Sequence, residues 1–170
     1  MFSEAAQVVE AAQRGDRSAF AQLYTQYART IHGILLSRVP FAEVEDLVQD
    51  VFLTAMQRLS SLRDPSAFGG WLAAMARNRA VDYFRRAPAR TMELVDDMAI
   101  TQPVRTEALA VMAVIRSLPE AYRETLTLRL VEGMTGPEIA ASTGLTEGSV
   151  RVNLHRGMKQ LRERLERRPL

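Results

Sequence analysis

The segment Leu118–Leu165, LPEAYRETLTLRLVEGMTGPEIAASTGLTEGSVRVNLHRGMKQLRERL, decides the fold of the C-terminal third of the chain. Two short helical patterns meet in it at a tight turn. Thr135 followed three residues later by Glu138 predicts a capping box at the start of the first helix. Gly144 suits the turn, because glycine adopts positive φ without strain. The layout predicts a helix-turn-helix, a motif whose second helix enters the DNA major groove.

The second helix is predicted to run from Glu147 to about Arg164, with Thr146 as its cap. Projected at about 100° per residue, it has an apolar arc that should face the helical bundle: Val150, Leu154, Gly157 and Leu161. The opposite arc and its flanks, called the α8 face below, are predicted to contact phosphates and base edges; they hold Ser149, Arg151, Val152, His155, Arg156 and Lys159. A basic helix face alone is more often solvated surface, but the capped helix and glycine turn before it favour DNA.

Composition and charge narrow the function classes. The chain has 170 residues, of which 47% are hydrophobic, so it can fill compact cores. It has no cysteine, which excludes disulfides, cysteine nucleophiles and thiolate metal sites. Neither a signal-peptide pattern nor an uninterrupted apolar run of membrane-spanning length is found, so a cytoplasmic protein without a membrane segment is expected. The net charge is only +2, but from Arg151 to the end there are seven basic and two acidic residues. The positive charge is therefore concentrated at the predicted recognition helix.

The helical periodicity predicts an all-α protein with two small helical domains joined by a flexible linker. Residues 87–107 interrupt the pattern with two prolines and an acidic pair, and about twenty such residues are unusual inside one domain. The domains are therefore predicted at residues 1–86 and 108–170. The first should hold four helices: roughly Ser3–Arg14, Asp16 or Ser18 to Val39, Glu43–Leu59 and Ala67–Arg86.

The third predicted helix has an apolar side and an opposite stripe of acidic and amide residues. The stripe, called the α3 face below, is predicted to include Asp46, Gln49, Asp50 and Leu53. A leucine ringed by polar groups is typical of a protein contact. An isolated surface leucine is also common, so the residues alone do not decide between a contact and plain surface.

The fourth predicted helix offers cations and an amide on one side. This side, called the α4 face below, suits a nucleic-acid backbone and one or two bases; it holds Arg77, Asn78, Val81 and Arg85. The loop Ser60–Gly70 before it is predicted to form a base pocket with Arg63, Asp64 and Ser66 as polar lining. For Trp71, packing as a core indole is favoured over base stacking.

Five motifs resemble the sigma-70 family of bacterial RNA polymerase factors, in the small extracytoplasmic-function (ECF) group. The resemblance covers roughly Phe20–Arg86 and Ala108–Arg167. Its motifs are S-L-P-E at Ser117–Glu120, E-G-M-T-G-P-E-I-A at Glu132–Ala140, G-S-V-R-V-N-L-H-R-G at Gly148–Gly157, D-L-V-Q-D-V-F at Asp46–Phe52 and W-L-x-x-M-A-R-N-x-A-V-D at Trp71–Asp82.

The resemblance implies a promoter-specific initiation factor of the bacterial cytoplasm. It implies that the α3 face binds the β′ clamp helices of core RNA polymerase, and that the C-terminal domain lies at the β flap. It further implies that the α4 face and its preceding loop bind the promoter −10 element and help melt it, and that the α8 face reads the −35 element. Members of the group are usually held inactive by an anti-sigma factor, so such a partner is expected.

Other classes of function are less well supported by the residues. No catalytic, cofactor-binding or metal-binding residue is predicted: the two histidines, His32 and His155, lie in different predicted domains, and no nucleophile or phosphate-loop motif is found. An enzyme is therefore not expected. The alternatives are a stand-alone helix-turn-helix regulator with an N-terminal sensing or dimerisation domain, and, more weakly, a protein-interaction adaptor. The N-terminal half discriminates, since it offers a polymerase face and a second DNA face.

Overall fold

A computed structural model of the chain describes residues 3–86 and 103–168, with side chains of the second range described from residue 107 onward. These residues form eight α-helices and no strand, which confirms the all-α fold. The helices are α1 Glu4–Gln13, α2 Arg17–Leu36, α3 Phe41–Arg58, α4 Phe68–Arg86, α5 Pro103–Arg116, α6 Glu120–Leu130, α7 Gly136–Thr143 and α8 Glu147–Glu166.

Helices α1 to α4 form the N-terminal body, residues 3–86. The Ser3 and Asp16 side chains accept hydrogen bonds from backbone amides of α1 and α2 and so fix where these helices begin. The apolar side of α3 and the residue that follows the helix are buried: Val44, Leu47, Val48, Val51, Phe52, Ala55 and Leu59. Helix α2 ends at Leu36, three residues before the predicted Val39, since Pro40 must precede α3 in an extended conformation.

The turn between α3 and α4 contains two short 3-10 turns, Leu59–Ser61 and Pro65–Ala67. The Gln13 side-chain amide donates to the carbonyls of Leu59 and Leu62, at 3.0 and 2.8 Å, and ties the first of these turns to α1. The loop before α4 is therefore anchored to α1.

Helices α5 to α8 form the C-terminal body, residues 103–168. Thr135 and Glu138 make both hydrogen bonds of the predicted capping box, and Gly144 has the left-handed conformation with φ of 76°. Thr146 caps α8 by accepting from the Ser149 amide at 3.1 Å. Helix α5 begins at Pro103, inside the range assigned to the linker, while the rest of that range, residues 87–102, lies outside the described residues.

The two bodies pack against each other through α6. Residues 124–128 of α6 are all buried, because one side of this helix packs on α8 and the other on α2. The larger hydrophobic core joins Leu128, Met134, Ile139 and Val150 to the N-terminal body, whereas Ile115, Leu118, Leu126 and Leu161 belong to a second core within the C-terminal body. Sequence reasoning predicted two domains and did not anticipate this contact.

Glycines allow the closest approach between the bodies. A Cβ on Gly69 would lie 3.0 Å from the Ala141 carbonyl oxygen, and a Cβ on Gly70 would lie 3.3 Å from the Gly144 Cα. The start of α4 therefore touches the turn of the helix-turn-helix. No helix in the described ranges is both long and apolar enough to cross a membrane.

Candidate nucleic-acid interface

The α8 face is open to solvent along its whole length. All six of its side chains are exposed, including Val152, and none makes an ion pair within the described parts of the chain. The opposite arc is buried at Val150 and Leu161, and Gly157 lies so close to α6 that a Cβ would be 3.1 Å from Tyr122 and Leu126. This packing fixes the rotation of α8, so the basic side chains point away from the protein.

One member of the α8 face has a local partner. The Thr146 hydroxyl donates to the Ser149 hydroxyl at 2.9 Å, beside the capping bond to the Ser149 amide. The Ser149 hydroxyl can still donate to a phosphate or a base, since its own proton is not used by this bond.

The α4 face is only partly open. Asn78, Val81 and Arg85 are exposed, and Asp82 lies 3.9 Å from Arg85. Arg77 is turned toward the C-terminal body, where its Nε and Nη2 donate to the two carboxylate oxygens of Glu124 at 3.0 and 2.7 Å. This two-point geometry is the one in which arginine also binds phosphate.

Glu124 is the centre of a charged cluster between the bodies. Its side chain is 5% exposed and also accepts from Arg38 Nη2 at 2.6 Å, while Arg38 pairs with Glu120 at the edge. Burial by itself raises the pKa of the Glu124 carboxyl, but the hydrogen bonds and charges of Arg77 and Arg38 outweigh it and hold the pKa below its ordinary value. The hydrogen bond to Glu124 in turn raises the pKa of Arg77. The carboxylate is therefore ionised and fully paired.

The loop before α4 places its three predicted residues on the surface. Arg63, Asp64 and Ser66 are exposed, and Asp64 accepts from the Ser66 amide and hydroxyl at 3.0 and 2.6 Å. Asp64 thus caps the turn Pro65–Ala67 and leaves Arg63 as the unengaged cation of the loop within the described residues. Trp71 is half-buried, with its ring 5.8 Å from Phe68, as favoured for a core indole.

The α3 face is a mixed polar and apolar surface. Asp46, Gln49 and Leu53 are exposed, with Leu53 at 52%. Asp50 differs, because it accepts a hydrogen bond from Arg79 of α4 at 2.6 Å. Three of the four predicted side chains can therefore reach a partner directly, while Asp50 also links two helices of its own body.

Comparisons with known proteins agree with this organisation. The model for Sigma-70 region 2 matches residues 23–90, and the model for Sigma-70 region 4 matches residues 108–161. The ECF RNA polymerase sigma-E factor of Escherichia coli K12 is 31% identical over 94% of this chain and 93% of its own length. The chain belongs to the ECF group of RNA polymerase sigma factors.

Two further similar proteins are BldN and CnrH. The ECF sigma factor BldN of Streptomyces coelicolor is 31% identical over 91% of this chain, and the chain spans 63% of BldN's length, less than two thirds. The solved structure of CnrH in complex with the cytosolic domain of CnrY has a TM-score of 0.66 and 26% identity, covering 95% of this chain and 97% of CnrH.

Sequence reasoning missed the residues that join the two halves of this ECF sigma factor. They are Glu124, Arg38, Arg116 and the pair His32–Glu132. The Arg116 guanidinium donates to the Leu36 and Val39 carbonyls, both at 2.8 Å, and so satisfies carbonyls at the end of α2. A signal existed for Glu124, since it lies one turn before the buried Leu128 on α6, and a carboxylate at a buried position requires partners.

Proposed function

We propose that this sigma factor directs core RNA polymerase to promoters by holding the −35 and −10 elements with separate bodies and stabilising the melted −10 strand. Regions 2 and 4 in one chain, each with an exposed candidate DNA face, carry this proposal. The chain acts as a regulatory initiation factor and leaves catalysis to the polymerase.

The −35 contact is assigned to the α8 face. Arg151, Arg156 and Lys159 are spaced to reach phosphates and guanine edges from one helix in the major groove. Ser149, Val152 and His155 complete the face and supply a hydroxyl, a methyl surface and an imidazole. The C-terminal body would meet the polymerase at its β flap.

The −10 contact is assigned to the α4 face and the loop before it. Arg77 and Arg85 would hold the backbone of the displaced strand, while Asn78 and Val81 meet its bases. Arg63, Asp64 and Ser66, which are exposed, would form the polar lining of the proposed base pocket. A pocket that shields an unstacked base from solvent would stabilise the melted promoter relative to the closed duplex.

The polymerase contact is assigned to the α3 face, with the β′ clamp helices as its partner. Leu53 is the apolar anchor, and Asp46, Gln49 and Asp50 form its polar rim. Leu53→Asp should abolish binding to core polymerase in a pull-down, because it places a charge in the centre of the contact. Phe84→Asp is the control on α4, where the native side chain is 41% exposed and lies outside the α3 and α4 faces, and it should bind core normally. Equal binding of core by both variants would refute this assignment.

Run-off transcription with core polymerase and a promoter library tests the whole proposal. Promoter-directed transcripts that require the protein are expected. If no library member supports a transcript while the protein still binds duplex DNA by itself, the chain is instead a stand-alone helix-turn-helix regulator.

We further propose that the chain acts in the bacterial cytoplasm, where the polymerase works, and that an anti-sigma factor controls it. The similarity to CnrH, whose structure includes the cytosolic domain of CnrY, supports a protein regulator of this kind. Co-purification of the chain from its own host under non-inducing conditions should recover this partner in a complex that does not bind core.

A further inference from the structure

The charged cluster between the bodies places a carboxylate where the −10 contact needs a phosphate. Arg77 is a candidate cation of the α4 face, and its Nε–Nη2 edge, one of the two-point edges of the guanidinium, is used by Glu124. Glu124 is nearly inaccessible to water, and its Oε2 also accepts a hydrogen bond from Arg38. A DNA strand can bind Arg77 in this way only after Glu124 has left.

We infer that Glu124 is an internal mimic of a DNA phosphate and that it holds the free protein in a closed state in which Arg77 cannot bind the −10 strand. This inference rests on the proposed function, which assigns Arg77 to the −10 contact. The closed state itself rests on the ion pairs and the shared core between the bodies, and it can be tested without polymerase.

The closed state is incompatible with simultaneous promoter contacts. The −35 and −10 elements lie about 25 base pairs apart by their names, which is about 85 Å of B-form DNA at about 3.4 Å per base pair. In the closed state the turn between α7 and α8 touches the start of α4, because Gly144 and Gly70 are in van der Waals contact. The two bodies must therefore separate before both elements can be held.

Additional contacts make the closed state specific. Arg116 of the C-terminal body binds two carbonyls at the end of α2, and His32 of α2 is hydrogen-bonded to Glu132. Gly33 leaves room for Leu128, whose Cδ2 would be 2.6 Å from a Cβ at that position. The same contacts leave the α8 face exposed. Closure would therefore block the −10 contact and hold the two bodies too close together for both elements, while it leaves the α8 face free.

The glutamine variant of residue 124 tests the inference, with small-angle X-ray scattering of the free protein as the first measurement. Glu124→Gln keeps the size of the side chain and removes the charge that both arginines bind. A compact chain of 170 residues has a radius of gyration of about 16 Å. We expect this value for the wild type. For the variant we expect about 21 Å, which is the radius of gyration of the N- and C-terminal bodies when their centres lie about 35 Å apart.

The control is Glu4→Gln, which makes the same change of charge on α1 at an exposed carboxylate. It should stay as compact as the wild type. Arg38→Gln removes a partner of Glu124 from the N-terminal body and should expand the protein as Glu124→Gln does. A wild type that is already extended, or a folded Glu124→Gln variant that remains compact, would overturn the inference. Circular dichroism establishes folding, and if Glu124→Gln fails to fold, Arg38→Gln and the wild-type radius decide.

The second measurement asks whether Arg77 becomes available. Binding of a fluorescent random-sequence 20-nucleotide single strand should strengthen about tenfold in Glu124→Gln, the effect of one charge-assisted contact. The double variant Arg77→Ala/Glu124→Gln should lose this gain. Expansion without tighter binding would refute the phosphate mimicry and leave only a structural contact. Failure of transcription with normal closure would refute the proposed function instead, so the two outcomes are distinguishable.

Discussion

The two candidate DNA faces of this protein differ in what occupies them. The α8 face presents three cations to solvent, and no residue of the chain pairs with them in the described parts. On the α4 face, the Nε–Nη2 edge of Arg77 is bound by a carboxylate of the other body. The difference teaches that a basic helix face is a binding site only in the state that exposes it. The face proposed for the −35 element is already exposed, whereas the proposed −10 contact of Arg77 requires separation of the bodies.

Substitutions at two glycines test the folding of one body and the contact between the bodies separately, and they should have the largest effects. Gly157→Leu puts a side chain where a Cβ is already 3.1 Å from Tyr122 and Leu126, inside the C-terminal body. Overpacking of this kind costs about 1–3 kcal/mol or more, a large share of the stability of a small domain. We expect this body to unfold and −35 binding to disappear in gel-shift assays.

Gly33→Leu is the matched substitution at the contact between the bodies. The added side chain meets Leu128 of the other body, so separation of the bodies relieves the clash while the packing within each body is kept. Helical content by circular dichroism should be retained while the radius of gyration rises. If Gly33→Leu lowers helical content as much as Gly157→Leu does, the bodies fold as one unit and the domain boundaries at residues 86 and 108 are wrong.

Arginine-to-alanine variants on the two faces should have smaller effects, and each should weaken the binding of a different DNA probe. In holoenzyme, Arg156→Ala should weaken binding of a −35 duplex by about tenfold, since one good arginine contact is worth about 1–3 kcal/mol. Arg77→Ala should leave the −35 duplex unaffected and weaken binding to a fork with a single-stranded −10 element. The readouts are dissociation constants for both probes with both variants, at several salt concentrations.

The free protein adds a second distinction between the two arginines. Arg77→Ala removes one of the two partners of Glu124 and should expand the free chain, whereas Arg156→Ala should not. If both variants weaken both probes equally, the faces do not act separately and the comparison between them fails.

Local patterns in the sequence predicted most of the fold. The capping box at Thr135, the positive φ at Gly144 and the buried arc of α8 all follow from residues within one or two turns of each other. Such features depend on helix periodicity and on capping, which are legible in a single sequence.

Partnerships across the fold could not be predicted in the same way. Arg77 and Glu124 are 47 residues apart, and Asp50 and Arg79 are 29 apart, so no period connects them. Both arginines project from α4 as ordinary cations, and only tertiary packing assigns their partners. The candidate site was therefore predicted as a set of faces, while the state of each side chain depends on contacts between distant segments.

The smallest expected effect is a pH dependence of closure through His32. Its hydrogen bond to Glu132 is the main cause that raises the pKa of His32 above 6.5; burial opposes this, and the charges of Glu132 and Glu45 add to it. Glu45 lies 3.7 Å from the other ring nitrogen, and Arg29 donates to the Glu132 carbonyl.

A histidine whose pKa is raised in the closed state stabilises that state fully below its ordinary pKa, and this stabilisation is lost as pH rises through the raised value. The radius of gyration should therefore increase slightly as the pH is raised from about 6 through the raised pKa of His32. His32→Gln keeps a hydrogen-bonding group without the titration and should give a flat profile. A wild-type profile that is flat, or that expands toward acid over this range, would show that His32 does not contribute to closure, and the Glu124 cluster would then carry the charged part of the contact without it.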